Sequence, residues 1–244
     1  MPYVKEIIIA GKTIEINKYY TQKYKSKKTV RGPIENNTKD AQLKINNRLA
    51  EKKLRLLLNT NFKENDYHLV LNYEKDKRPV TKEDMQHDIK TFLKKLRAEY
   101  KKQDKDLKYV HVMERGSRGA LHHHLVINNI DPKVVTKIWT KGRCNFNPLD
   151  SSGQYKQLAS YLLKYTNKVI GTEAELSRKR YSSSRNLDKP IVKKEIIKKA
   201  DSFKTDTTIP KKYKNYYVDK NSVKAGTHEG TGYMYFSYTL IRIE

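Results

Sequence analysis

Cysteine is nearly missing from this 244-residue chain: Cys144 stands alone, which excludes an internal disulfide and a thiolate zinc cluster. No apolar run approaches the roughly 18 residues needed to span a bilayer. The N-terminal MPYVKEIIIAGKTIE lacks the long apolar centre of a signal peptide, so a soluble, cytoplasmic protein without a membrane partner is expected. There is no Gly-x-x-x-x-Gly-Lys-Ser/Thr loop, hence no expectation of a fused P-loop helicase, and no internal repeat. Acidic residues are scarce, 27 against 52 Lys and Arg, for a formal net charge of +25. The excess is about +9 in residues 1–60, about +9 in 61–170 and about +7 in 171–244. It is a property of the whole chain and not of a tail. A chain this positive calls for an anionic partner, and nucleic acid is the commonest. Eighteen Tyr fit that partner, because aromatic rings give bases a surface to stack on.

Residues 3–20 predict a hairpin turning at Gly11, followed by a Lys-rich linker containing Gly32-Pro33. A helix is expected after Thr38 as N-cap, with Leu43, Ala50, Leu54 and Leu57 on its apolar face. From residue 66 the pattern becomes regular. Strands are predicted at 67–73, 108–116, 120–128 and 143–149, and helices at 81–102, 131–142 and 154–170. The helix at 81–102 opens on a Thr81-x-x-Asp84 capping box and carries the stripe Met85, Ile89, Phe92, Leu93, Leu96. The order β-α-β-β-α-β-α describes an α+β, ferredoxin-like antiparallel sheet with one added helix. The expected organisation is a basic N-terminal hairpin and helix at 1–65, a core at 66–170, and a basic C-terminal extension at 171–244. That extension should hold a helix after the run SRKRYSSSRNLDKPIVKKE, then late strands at KNYYV and GYMYFSYTLIRI.

The stretch GALHHHLVIN (119–128) carries three consecutive histidines. Side chains alternate along a strand, so His122 and His124 share one face while His123 points the other way among Leu121, Leu125 and Ile127. His123 therefore reads as a packed structural residue. A turn centred near Arg118 would set Glu114 opposite His122 on the same side, with His111 on the other face. Glu114, His122 and His124 then form a mixed oxygen and nitrogen donor set that suits Mn²⁺ or Mg²⁺. The alternative is that both histidines are ordinary half-buried strand residues.

Downstream, SYLLKYTNK holds Tyr161 and Tyr165, each followed three residues later by a lysine, Lys164 or Lys168. A phenol becomes a nucleophile when its proton is removed or its anion is stabilised, which nearby cations do. Helical geometry sets Leu158, Leu162, Tyr165 and Val169 in an apolar stripe, with Tyr161 at its edge. Tyr161 is thus the better nucleophile, and Tyr165 is either core or a second one. Two tyrosines packing a helix on a sheet is the structural alternative.

These motifs together resemble the HUH endonucleases of the rolling-circle replication initiator class. The HHH run stands at the His-hydrophobic-His position, and YLLKYTNK is similar to the two-tyrosine motif of initiators from single-stranded DNA phages and related plasmids. The run from YHLVLNY to ALHHHLVI resembles the filamentous-phage gene II-like replication-associated domain. Histidines before tyrosines favour an initiator over a conjugative relaxase. The chain departs from the pattern at His123, normally a bulky hydrophobic residue, and in LVLNY, where a Thr is usual. The resemblance covers about 66–170. It implies His122, His124 and Glu114 as metal ligands, Tyr161 as the attacking residue, Lys164 as its helper and Tyr165 as a second tyrosine. The implied activity is nicking and strand transfer through a covalent 5′-phosphotyrosine at a replication origin of a plasmid, phage or mobile element. The implied partners are single-stranded or hairpin DNA and a host helicase and polymerase. The helix of residues 38–62 and the cluster 178–185 are candidates for duplex contacts or, equally, solvated surface. A non-catalytic ferredoxin-like module that binds single-stranded nucleic acid, and a relaxase or transposase acting on another DNA end, stay open at this point.

Overall fold

A computed structural model describes residues 2–21, 39–116, 119–198, 207, 209–228 and 232–243. Four α-helices and two five-stranded antiparallel sheets occur among the described residues. The linker at 22–38, with Gly32-Pro33 and the expected cap Thr38, lies outside them. The chain divides into two compact units: residues 1–46, 152–154 and 189–244, and residues 47–151 and 155–188.

In the second unit the elements are β3 (Tyr67–Asn72), α2 (Lys82–Lys101), β4 (Tyr109–Arg115), β5 (Leu121–Ile127), α3 (Pro132–Ile138), β6 (Cys144–Pro148), α4 (Lys156–Val169) and the short β7 (Ser182–Ser183). They follow the expected order. The sheet runs β6-β3-β5-β4-β7 with every pair antiparallel. Without β7, that is the strand order of a ferredoxin-like sheet. Thr81 caps α2 as expected, and the box with Asp84 is closed in both directions. Pro132 begins α3, where its missing N–H costs nothing.

Strand alternation gives this sheet two cores. Leu69, Leu71, Met113, Leu121, Leu125 and Ile127 pack on the α2 stripe of Met85, Ile89, Phe92, Leu93 and Leu96. On the opposite face Val110, Val112 and Val126 meet Ala159, Leu162 and Leu163 of α4 and Leu54 and Leu58 of α1 (Lys39–Asn61). Two apolar faces are corrected here. In α1 the buried positions are Leu54, Leu56, Leu58 and Asn59, while Ala50 and Leu57 are half-buried and Leu43 is exposed. In α4 the buried stripe is Ala159, Leu162, Leu163 and Thr166, and Leu158, Tyr165 and Val169 are only half-buried. The reason is close packing: the helix turns its small residues to β4 and α1, a preference that hydrophobicity does not report.

In the first unit β1 (Tyr3–Ala10) and β2 (Thr13–Tyr20) form the expected hairpin, and Gly11 takes the left-handed turn at φ 56°. The late strands β9 (Tyr216–Thr227) and β10 (Met234–Arg242) are present. They join the hairpin directly, in the order β8-β1-β2-β10-β9. Ile7, Ile14, Ile16, Phe236, Tyr238 and Leu240 form the core, so one cluster draws on both ends of the chain. β8 (Ile191–Ile196) is a strand that begins inside the basic run, for which the sequence predicts no element. The helix expected after it falls on residues mostly outside those described.

Candidate metal centre and nucleophile

The pairing of β4 with β5 brings the site together. Glu114 stands opposite His122, and Val112 opposite His124, so the carboxylate and both imidazoles emerge on one face. The turn residues 117 and 118 lie outside the described set, but the register they close is the expected one. One donor atom from each of Glu114, His122 and His124 falls within 4.8 Å of the other two. Glu114 Oε2 is 3.0 Å from His124 Nε2 and 3.7 Å from His122 Nε2.

Hydrogen bonds on the far nitrogens say which atoms are free to ligate. His122 Nδ1 lies 3.3 Å from the Ala120 carbonyl, which can only accept. The proton is therefore on Nδ1 and the lone pair on Nε2. His124 Nδ1 lies 3.1 Å from His68 Nε2. Burial, then the neighbouring His124, lowers the His68 pKa to about 4, so His68 is neutral and can accept that proton. With His124 as the donor of that bond, its Nε2 also presents a lone pair. It is buried and has no hydrogen-bond partner, and no other buried side-chain nitrogen or oxygen among the described residues is in that position. A lone pair aimed at a carboxylate 3.0 Å away is unfavourable unless a cation lies between them. The donor set thus fits a divalent ion, and Glu114 is already ionised to meet it. In the tautomers that turn an N–H toward it, the His122 and His124 rings hold its pKa down to about 2.

His68 was not singled out from sequence. It hydrogen-bonds the far nitrogen of His124, the usual office of a group behind a metal-binding histidine. Its only sequence signal is alternation within YHLVLNY, which puts it on the face opposite Leu69 and Leu71. That this face meets His124 depends on the β3–β5 register, His68 opposite Val126 and Val70 opposite His124.

His123 points away, as expected, and is fully buried in the other core. It is also part of a polar chain. Tyr73 Oη is 2.8 Å from His123 Nε2, His123 Nδ1 is 3.0 Å from His111 Nε2, and His111 Nδ1 is 3.2 Å from Ser182 Oγ. Burial, then the nearby Asp88 carboxylate, raises the Tyr73 pKa, and Lys141 approaches that carboxylate at 3.2 Å. Each neutral ring donates through one nitrogen and accepts through the other, so the chain is continuous from Tyr73 to Ser182 and can run in either sense. Burial, then the neighbouring His124, lowers the His111 pKa to about 3, and burial sends His123 well below its usual value, so both rings are neutral.

α4 brings Tyr161 to the site. Its ring stands edge-on to His124 and His68, with centroids 5.4 and 5.8 Å apart, and half of the residue is exposed. Burial, then the Glu114 charge, raises its pKa, so the free phenol holds its proton at neutral pH. Lys164 is exposed one turn further along α4. Tyr165 is half-buried against the α2-side core, and its hydroxyl donates to the Ala174 carbonyl at 3.2 Å. In the cluster 178–185, Arg180 is held by Asn47 and Asn167 at 2.5 and 2.8 Å.

No described helix is long and apolar enough to cross a membrane. No curated protein and no solved structure matches the chain. One family model does, and it covers the ferredoxin-like elements that carry the histidines and α4. Residues 66–170 match the model of the replication-associated protein ORF2/G2P family, which fits a rolling-circle replication protein of the HUH type.

Proposed function

We propose that this chain is a metal-dependent DNA nickase and strand transferase that starts rolling-circle replication at an origin. The observation that carries the reading is the Tyr161 ring against His124 and His68, beside a Glu and two imidazoles that all present acceptor atoms. Glu114, His122 and His124 would hold Mn²⁺ or Mg²⁺, which supplies Lewis-acid polarisation of a phosphate oxygen. Tyr161 Oη attacks phosphorus: the Oη–P bond forms, the P–O3′ bond breaks, and the phenol gives up its proton. The departing 3′ oxygen takes up a proton and leaves as a free hydroxyl able to prime synthesis, while the 5′ end stays on the tyrosine. Lys164 offsets charge on the phosphate. A new 3′-hydroxyl later attacks the phosphotyrosine, forming a P–O3′ bond and breaking the Oη–P bond, which releases the strand; in a two-tyrosine cycle that hydroxyl comes from a second nick made by Tyr165. The substrate is single-stranded or extruded DNA, which the basic surface of the chain would hold. Host helicase and polymerase are the partners such a step needs.

The test is a denaturing gel for covalent adducts on labelled hairpin oligonucleotides that include the element's own origin, in Mn²⁺ or EDTA. The expected result is a band that needs metal and is lost in Tyr161→Phe. Loss in Tyr165→Phe as well selects the two-tyrosine cycle. No adduct, with tight binding indifferent to EDTA, would make the chain a binding module.

A further inference from the structure

The geometry points to a pocket for one unpaired nucleotide at the open side of β4, taking a base of the strand whose phosphate meets Tyr161. This rests on the reading of the site given above. β7 covers only Val110 and His111 of β4, and beyond them a cavity of about 430 Å³ lies between α2 and α4, closed by residues 175–182. That volume is at the lower end of small-ligand pockets.

The lining selects the ligand class. Tyr109, Tyr165 and Tyr181 line it with aromatic side chains, and Lys90, Lys179 and Arg180 bring three cations against one carboxylate, Glu175, which accepts from the Gly171 N–H at 2.7 Å. An aliphatic ligand has no use for the cations, and a lone phosphate has no use for the rings. A nucleotide uses both, since bases stack on aromatic side chains while phosphates pair with Lys and Arg. Gln86 and Ser177 add polar groups at the wall for base edges. The walls are held in place without a ligand. Gln86 donates to the Leu176 carbonyl at 3.2 Å, Tyr165 is tied to Ala174, and Arg180 is tied to Asn47 and Asn167. A pre-set pocket loses less on binding than one that must be ordered.

Position argues the same way. Tyr165 lines the cavity and follows Tyr161 by one turn of α4, a rise of about 6 Å along the helix. One nucleotide of an extended strand spans such a gap. Phosphate chemistry at Tyr161 carries no sequence information, so a base read here would decide where the strand is cut.

The test uses the full chain with Tyr161→Phe in EDTA, so that neither metal nor nucleophile enters it. The four deoxynucleoside 5′-monophosphates and deoxyribose 5-phosphate are titrated one at a time by ligand-observed NMR. At least one nucleotide should bind about fivefold or more tighter than the sugar phosphate, the lower end of what one stacked base contributes. Val169→Trp, which fills the cavity, and Lys90→Glu, on an exposed position of α2, should each weaken it about as much. If Val169→Trp unfolds, Lys90→Glu decides. No nucleotide binding, equal binding of the sugar phosphate, or binding unmoved by the folded variants overturns the pocket. An adduct on the parent chain without nucleotide binding would remove the pocket alone, and nucleotide binding without an adduct would remove only the nickase.

Discussion

Acid should undo this protein through the His111–His123 chain. Both rings are buried and neutral, and His111 has its pKa lowered to about 3. In the unfolded chain a histidine titrates near 6.5, so between those values the unfolded state binds the extra proton and stability falls as pH falls. The contribution is complete above pH 6.5. At pH 4.5 the unfolded His111 is about 99% protonated and the folded one about 3%, a loss of about 3 kcal/mol from this residue alone. His123 and His68 shift in the same direction and add to it. The assay is urea unfolding in EDTA at pH 7 and 4.5, followed by the fluorescence of Trp139. That residue is the only tryptophan, buried, with its ring edge-on to His123 at 5.8 Å. With a urea slope of about 1–3 kcal/mol per molar, the midpoint should drop by roughly 1–3 M for His111 alone. His111→Phe should be less stable at pH 7 by about 1–3 kcal/mol, since Ser182 and His123 lose a partner. It should also lose about 3 kcal/mol less than the parent on going to pH 4.5. Equal acid losses in both proteins would mean that His111 is not held neutral.

Glu114→Gln keeps the size of the side chain but removes its charge, and Mn²⁺ binding measured by calorimetry should weaken about tenfold or more, because an amide is a poorer ligand for a hard cation. His68→Phe preserves a ring beside Tyr161 but removes the hydrogen-bond partner of His124 Nδ1; Mn²⁺ affinity should fall about 10- to 100-fold. Unchanged affinity there would show that His124 is oriented without help. Gly142→Ala should destabilise by about 1–3 kcal/mol in urea unfolding, because a Cβ at that position would run into the Asn72 carbonyl and the Tyr73–Glu74 backbone.

Much of this protein could be read in one dimension because its signals are local. The alternation of LHHHLVI by itself separated His122 and His124 from His123, and it would do so in any sheet. The short connection after Arg115 left little choice of register, so Glu114 fell opposite His122. Thr81-x-x-Asp84 and Pro132 marked helix starts through bonds made within a few residues. What needed the tertiary structure was every relation across long separations. His68 meets His124 over 56 residues, and Tyr73 meets His123 over 50, only because β3 lies beside β5. The tail-to-head sheet joins Ile16 to Tyr238, and no local pattern can name a partner that far away. The α4 stripe was misjudged for a related reason: burial follows which residues fit against β4 and α1, and there a small Ala159 packs more deeply than Leu158. Composition and strand alternation could thus specify the chemical groups, while the acceptor atoms they present were decided by hydrogen bonds that only the folded sheet brings into range.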